Sequence, residues 1–201
     1  MSLVFYWHPT SSASPVASAL AELEVPHERV LIDIRGGEQR TPEYLAINPN
    51  GQVPCLVVDG TPMFEGLAIL LWLGGRYGVD RGLWPSYGTP EQLQALSWSS
   101  WAYVSYGATI NRAWLATMDG PLRDPDQAAA ALATADAMLG VLDRHLAGRA
   151  WALGEAYSLV DLILARVIVY GTYVGAKVDA HPHVQAWLQK VMARPAMQIE
   201  V

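Results

Sequence analysis

Apolar positions follow two different periods along the chain, and the change of period divides it into two parts. Short apolar runs at residues 3–7 and 29–34 predict two strands. Between them, apolar positions three or four residues apart predict a helix with Ser14 as N-cap and Pro15 at its first position. Because a helix between adjacent strands favours parallel pairing, the chain is predicted to open with a β-α-β unit.

The following segment extends this unit. A short helix is predicted next, and then a strand at residues 55–58. Asp59-Gly60 is typical of a tight hairpin, so Met63-Phe64 is predicted to return as a fourth strand. A third helix begins at Glu65. Residues 1–78 therefore predict the order β-α-β-α-β-β-α of an α+β domain.

The second part of the chain has a helical period throughout. Residues 79–90 are rich in Gly, Pro and Ser and predict a linker. Ser158 and Asp161 form an S-x-x-D capping box, which predicts the start of one helix. Residues 91–201 are therefore predicted to form an all-α domain, with helices over 91–116, 125–146, 158–174 and 182–192.

Composition narrows the class of protein. Hydrophobic residues make up 52% of the chain and charged residues 16%, which is typical of a globular protein. The net charge of −6 without any basic cluster argues against nucleic acid as a partner. No apolar run is long enough to cross a membrane, and the first residues do not resemble a signal peptide. We therefore expect a cytoplasmic protein without a membrane partner.

Pro54 precedes a predicted strand, where its missing N–H removes no ladder hydrogen bond. A cis bond between Val53 and Pro54 would turn the chain sharply and leave the Val53 N–H and C=O free at the sheet edge. An extended, peptide-like ligand could pair with those two groups. Proline alone is weak evidence, because only about 5–6% of X-Pro bonds in folded proteins are cis.

The combined pattern resembles a known family. It consists of the β-α-β-α-β-β-α order, the stretch "NPNGQVPCL", an acidic residue opening the third helix, and the helical second half with its capping box. Together with the closing "HPHVQAWLQKVMARPAM", it is similar to the cytosolic glutathione transferases over almost the whole chain. The resemblance implies a thioredoxin-like first domain, a helical-bundle second domain and a homodimer.

The resemblance also implies a site for reduced glutathione as cosubstrate. Val53 would pair its backbone with the cysteinyl part, and Glu65 would hold the γ-glutamyl ammonium group. Position 66, usually Ser or Thr in the family, is Gly66 here, which predicts weakened rather than abolished binding. The other residues expected at this site are Pro54, Thr10, Gln39, Arg40 and Gln52, the last three near the glycyl carboxylate.

A hydroxyl donor is needed to stabilise the glutathione thiolate. The resemblance to bacterial and zeta-like members, which carry Ser or Cys in the loop after the first strand, indicates Ser11 or Ser12 within "HPTSSASP". Tyr6 is an alternative, since several classes of the family use a tyrosine near that strand's end. The serines could instead only satisfy the helix start. Cys55, the single cysteine, is expected to be buried, and without a C-x-x-C motif it cannot support dithiol exchange.

The second domain carries aromatic residues that are either core or the lining of a site for an apolar electrophile; they are Trp98, Trp101, Tyr103, Tyr106 and Trp114, with Asn111 and Arg112 as polar neighbours. His181 and His183 lack further ligands in range, so no metal site is predicted.

The function indicated is transfer of the glutathione thiol to a small apolar electrophile. Alternatives are a glutathione-dependent isomerase or disulfide reductase, and a non-catalytic binding or scaffold protein.

Overall fold

The computed structural model describes residues 1–199, which divide into two compact units. Of the described residues, the first unit contains Met1–Leu83 and residues 195–199, and the second contains Trp84–Arg194. Among the described residues, no helix is both long and apolar enough to span a membrane.

The first unit is built on a four-stranded mixed sheet. Its strands are β1 (Leu3–Trp7), β2 (Glu28–Leu31), β3 (Cys55–Val58) and β4 (Thr61–Phe64), in the order β2-β1-β3-β4. Strand β1 is parallel to β2 and antiparallel to β3, and β4 returns antiparallel to β3. Asp59 and Gly60 take φ angles of 45° and 82°, as the predicted hairpin requires.

Strand β2 ends earlier than predicted. Its last contact with the sheet is the hydrogen bond from Ile32 N–H to Trp7 C=O, at 2.9 Å. The Ile34 N–H then bonds to the Ile32 carbonyl, and this local turn takes the chain away from β1. The strand was predicted to reach residue 34 because the apolar residues continue past the end of β2.

Three helices complete the first unit: α1 (Ser14–Glu22), α2 (Pro42–Leu45) and α3 (Gly66–Leu73). Thr41 caps α2 as expected for Thr-Pro, its hydroxyl accepting from Tyr44 N–H. The prediction of Ser14 as N-cap of α1 is wrong, because Ala13 holds that position and Ser14 is already helical. The Ser14 hydroxyl donates instead to the Ser11 carbonyl at 2.9 Å.

The second unit is helical, as predicted. Its helices are α4 (Pro90–Ser100), α5 (Ala108–Thr117), α6 (Pro125–Leu146), α7 (Leu159–Val174) and α8 (Pro182–Met192). A π-helical stretch, Trp101–Gly107, joins α4 to α5. Gly107 allows the chain to pack tightly there, since a Cβ at this position would lie 2.9 Å from the Ala102 carbonyl oxygen.

The capping box of α7 forms at the centre of this unit. Asp161 is fully buried, and its carboxylate accepts from Ser158 N–H while the Ser158 hydroxyl accepts from Asp161 N–H, which are the two capping-box contacts. The carboxylate also accepts from Ser158 Oγ at 3.1 Å. It also accepts from Ala152 N–H at 2.7 Å and from Trp187 Nε1 at 2.8 Å. Burial raises the pKa of the Asp161 carboxyl, although each of these donors lowers it. One carboxylate therefore joins the start of α7 to the preceding loop and to α8.

Candidate glutathione site

The Val53–Pro54 bond is cis, and Pro54 leads directly into β3. Val53 is buried, and within residues 1–199 its N–H has no hydrogen-bond acceptor. Its carbonyl is not free, because Ser12 Oγ donates to it at 2.7 Å. The structure therefore leaves one free backbone donor where the sequence indicated a free donor and a free acceptor.

Glu65 lies between β4 and α3, as the N-cap of α3. Its side chain is exposed, does not cap the helix and has no partner in the part of the chain that the structure describes. Its backbone has φ 72° and ψ 112°, a conformation that costs a non-glycine residue about 1–3 kcal/mol. The N–H groups of Gly66 and its first-turn neighbours have no partner inside the helix. A free carboxylate and free N–H donors therefore lie next to each other in sequence.

The loop between β1 and α1, residues 8–13, is called the serine loop below. Its hydroxyl groups are directed to main-chain carbonyls. Thr10 donates to Pro9 at 2.7 Å, and Ser11 donates to the His8 carbonyl. Ser11 Oγ also accepts from Ala13 N–H at 3.1 Å, so it serves the start of α1. Ser12, in contrast, is exposed and bonded to Val53, 41 residues further along the chain. Of the two candidate serines, Ser12 is the one that the fold brings to Val53.

Tyr6 lies in β1, opposite Cys55 in the neighbouring strand. Its half-buried ring meets the ring of Tyr44 edge-on, with 5.9 Å between the centroids. No hydrogen bond joins its hydroxyl to the serine loop in residues 1–199. The ring packing therefore gives Tyr6 a structural role in the first unit.

The three residues expected near the glycyl carboxylate are arranged differently from one another. Gln39 Nε2 donates to the Ile34 carbonyl at 3.0 Å, and its Oε1 is buried without a donor. Arg40 is exposed and makes one long contact, 3.4 Å to the Asn50 carbonyl. The Gln52 side chain is exposed. Arg40 and Gln52 are therefore accessible to a ligand, whereas Gln39 already uses part of its amide within the loop.

Two residues that sequence reasoning missed hold the Gln52 carbonyl. Tyr44 Oη and Asn48 Nδ2 each donate to this oxygen at 2.7 Å. A signal for Asn48 was present in the sequence, because an asparagine preceding a proline commonly begins a turn. Tyr44 gave none, since a tyrosine in a short amphipathic helix normally indicates core.

Cys55 follows Pro54 directly and is the first residue of β3. Its side chain is fully buried, as predicted, and burial raises the pKa of its thiol to about 11. A thiol with this pKa is almost entirely protonated at pH 7, and only the thiolate is a good nucleophile. The buried Cys55 is therefore a poor nucleophile at pH 7.

The aromatic residues of the second unit divide between core and surface. Tyr106 is fully buried and stacks on Trp101, and Trp98 lies against His145 with 4.3 Å between ring centroids. Trp114 is 41% exposed.

The two histidines considered as metal ligands pair with carboxylates, His181 with Asp136 and His183 with Asp143, each at 2.9 Å. No group of three or more metal-binding side chains occurs among residues 1–199.

Family models agree with this fold. The model described as "Glutathione S-transferase, N-terminal domain" matches residues 11–76, and that described as "Glutathione S-transferase, C-terminal domain" matches residues 97–195. Glutathione S-transferase GstB of Escherichia coli K12 is 32% identical over 197 residues, which is 94% of this chain and 92% of GstB. The chain belongs to the glutathione S-transferase family.

Two further relatives show the range of this family. Disulfide-bond oxidoreductase YfcG of E. coli K12 is 27% identical over 199 residues, covering 95% of this chain and 90% of YfcG. The solved structure of a glutathione transferase family member from Pseudomonas fluorescens, with two glutathione bound, has a TM-score of 0.83 and 28% identity. It covers 97% of this chain and 90% of its own.

Proposed function

We propose that this protein is a glutathione transferase that binds reduced glutathione on its first unit and transfers the thiol to a small apolar electrophile. The observation that carries the proposal is the free Val53 N–H beside the cis proline, followed by the unpaired carboxylate of Glu65. These groups complement an extended peptide that carries an ammonium group at one end.

The chemistry of glutathione fits the groups available. Its cysteinyl carbonyl can accept from the Val53 N–H, and its γ-glutamyl ammonium can pair with Glu65. The γ-glutamyl carboxylate can accept from the first N–H groups of α3, where the helix dipole favours negative charge. Arg40 carries the positive charge that suits the glycyl carboxylate. Each charged end of the tripeptide thereby meets a group of opposite polarity.

Catalysis in this proposal stabilises the thiolate and positions it. A free cysteine thiol has a pKa near 8.5, so a donor that favours the thiolate increases its fraction at pH 7. Ser12 is assigned this role, because its hydroxyl lies against Val53 and its single O–H can turn from the Val53 carbonyl to the sulfur when glutathione binds. The sulfur lone pair then forms a bond to the electrophilic carbon, and the leaving group departs with its bonding pair.

Replacing Ser12 with alanine is expected to lower kcat/KM about tenfold at pH 6.5, if the hydroxyl depresses the thiol pKa by about one unit. The loss should diminish towards pH 9, because the thiolate forms there without assistance. The pH dependence of kcat/KM measures this shift. Ser11→Ala and Tyr6→Phe are the matched comparisons, and a larger acid-side loss in either would move the role to that residue.

Replacing Gly66 with serine is expected to tighten glutathione binding by about tenfold or more, since a hydrogen bond to a charged group contributes about 1.5–3 kcal/mol. Gly66 is helical with a negative φ, so serine suits its backbone. Calorimetric titration with reduced glutathione measures the change. Gly75→Ser, at an open position in the same unit, is the control. Equal affinity of Gly66→Ser and wild type would mean that another donor already binds this carboxylate.

Disulfide reduction is a second candidate, favoured by the likeness to YfcG and to a structure with two glutathione bound. Because Cys55 is buried, both thiols would have to come from glutathione. Two molecules of reduced glutathione would then give one oxidised glutathione and two thiols from the substrate disulfide.

One set of assays tests the function. Reduced glutathione is titrated into the protein, and the protein is then assayed with an aryl halide and with a dialkyl disulfide. Conjugation of the aryl halide supports the transferase, and disulfide reduction alone supports the second candidate. Absence of binding up to about 10 mM, where the binding free energy is below roughly 3 kcal/mol, would favour the non-catalytic scaffold. A cytoplasmic homodimer remains the expectation for its state in the cell.

A further inference from the structure

The peptide that joins Gln52 to Val53 is held from one side by two core residues. Tyr44 and Asn48, which are 3% and 1% exposed, both donate to the Gln52 carbonyl at 2.7 Å. A carbonyl oxygen has two lone pairs, and these two donors can occupy both. The Gln52 carbonyl is therefore fixed by side chains that packing itself immobilises.

A trans peptide is planar, and its C=O and N–H groups point in opposite directions. The Gln52–Val53 bond is trans, because Val53–Pro54 is the cis bond of the described chain. Fixing the Gln52 oxygen therefore fixes the direction of the Val53 N–H. In the free protein the following carbonyl is fixed as well, by Ser12 Oγ. Both carbonyls next to the free donor are thus held in place.

The loop before Gln52 is shaped to bring Asn48 to this position. Asn48 Oδ1 accepts from Asn50 N–H at 3.1 Å, which leaves Nδ2 directed at Gln52. Gly51 has φ 59°, and a Cβ there would lie 2.8 Å from the Gln39 carbonyl oxygen. Only glycine therefore permits the close approach that this loop makes to the preceding segment.

We propose that Tyr44 and Asn48 are positioning residues for glutathione binding. They direct the Val53 N–H at the ligand, and by withdrawing charge through the Gln52 carbonyl they make that N–H a stronger donor. Neither side chain needs to touch the ligand. This inference rests on the proposed function, because it takes the cysteinyl carbonyl of glutathione as the acceptor.

The test uses Tyr44→Phe, which removes only the hydroxyl, and Asn48→Asp, which keeps the acceptor for Asn50 N–H but loses the donor. Tyr77→Phe, a half-buried tyrosine of the same unit, is the matched control. The Val53 amide is followed by ¹⁵N NMR in the free protein, and glutathione affinity is measured by calorimetry. Melting temperatures verify that each variant folds. If Tyr44→Phe does not fold, Asn48→Asp provides the test in its place.

In Tyr44→Phe we expect the Val53 proton resonance to move upfield in the free protein, because one polarising hydrogen bond is lost. We expect the Kd and KM for glutathione to rise about two- to tenfold, with kcat at saturation unchanged. A folded variant with the wild-type Val53 resonance and Kd would overturn the inference. Failure of the wild type to bind glutathione would instead overturn the proposed function, and the Val53 resonance would still report on the positioning.

Discussion

Replacing Glu65 with glutamine weakens the binding of reduced glutathione by about tenfold to a hundredfold, as expected for loss of a charge-assisted hydrogen bond. Glutamine keeps the length of the side chain, and the backbone at φ 72° is as unfavourable for glutamine as for glutamate. The change therefore removes only the charge. The affinity is measured by calorimetry at low ionic strength, because salt screens an exposed pair of this kind.

A matched variant and a matched ligand identify the partner of Glu65. Glu91→Gln changes an exposed carboxylate in the first turn of α4 and should leave the affinity unchanged. Glutaryl-cysteinylglycine lacks only the amino group of glutathione, so wild type and Glu65→Gln should bind it equally. If Glu65→Gln weakened both ligands by the same factor, the carboxylate would not be holding the ammonium group.

The backbone of Glu65 provides an independent measurement. Glycine adopts positive φ readily, so Glu65→Gly should raise the free energy of unfolding by about 1 kcal/mol or more while it removes glutathione binding. A gain in stability that accompanies a loss of binding indicates a residue retained for its ligand. If Glu65→Gly destabilised the protein, the carboxylate would have a structural role instead.

The fold was largely predictable, because its signals are local. Asp59-Gly60 specifies its hairpin by the φ angles of two adjacent residues, and the capping box specifies the start of α7 by residues three apart. The errors were also local in origin. Ser14 was misassigned as N-cap because several serines of one loop have the right chemistry, and the sequence does not say which begins the helix.

The site was less predictable, because its key contacts join distant parts of the chain. The hydrogen bond from Ser12 to Val53 spans 41 residues, and no periodicity reports on it. The roles of Val53 and Glu65 came from a family resemblance, which gives positions but no geometry. Tyr44 and Asn48 were missed because their bonds to Gln52 depend on how the intervening loop folds.

Replacing Asp161 with asparagine is expected to destabilise the protein more than any other change considered. Asparagine keeps one carbonyl oxygen and replaces the other with a donor, so the Ser158 N–H and Ser158 Oγ lose their acceptor in the core. Each buried donor left unsatisfied costs about 1–3 kcal/mol. A loss of about 4 kcal/mol would lower the melting temperature of a chain of this length by roughly 8–16 °C.

Asp124→Asn is the control, because Asp124 also caps a helix, accepting from Gln127 N–H at 3.0 Å, but is exposed. Asparagine caps a helix about as well as aspartate, so this variant should melt within a few degrees of the wild type. Equal melting of both variants would mean that the Asp161 network is satisfied by water or by rearrangement. A large loss of melting temperature in Asp161→Asn alone would show that the stability of the protein depends on this one carboxylate, which links the start of α7 to α8 through Trp187.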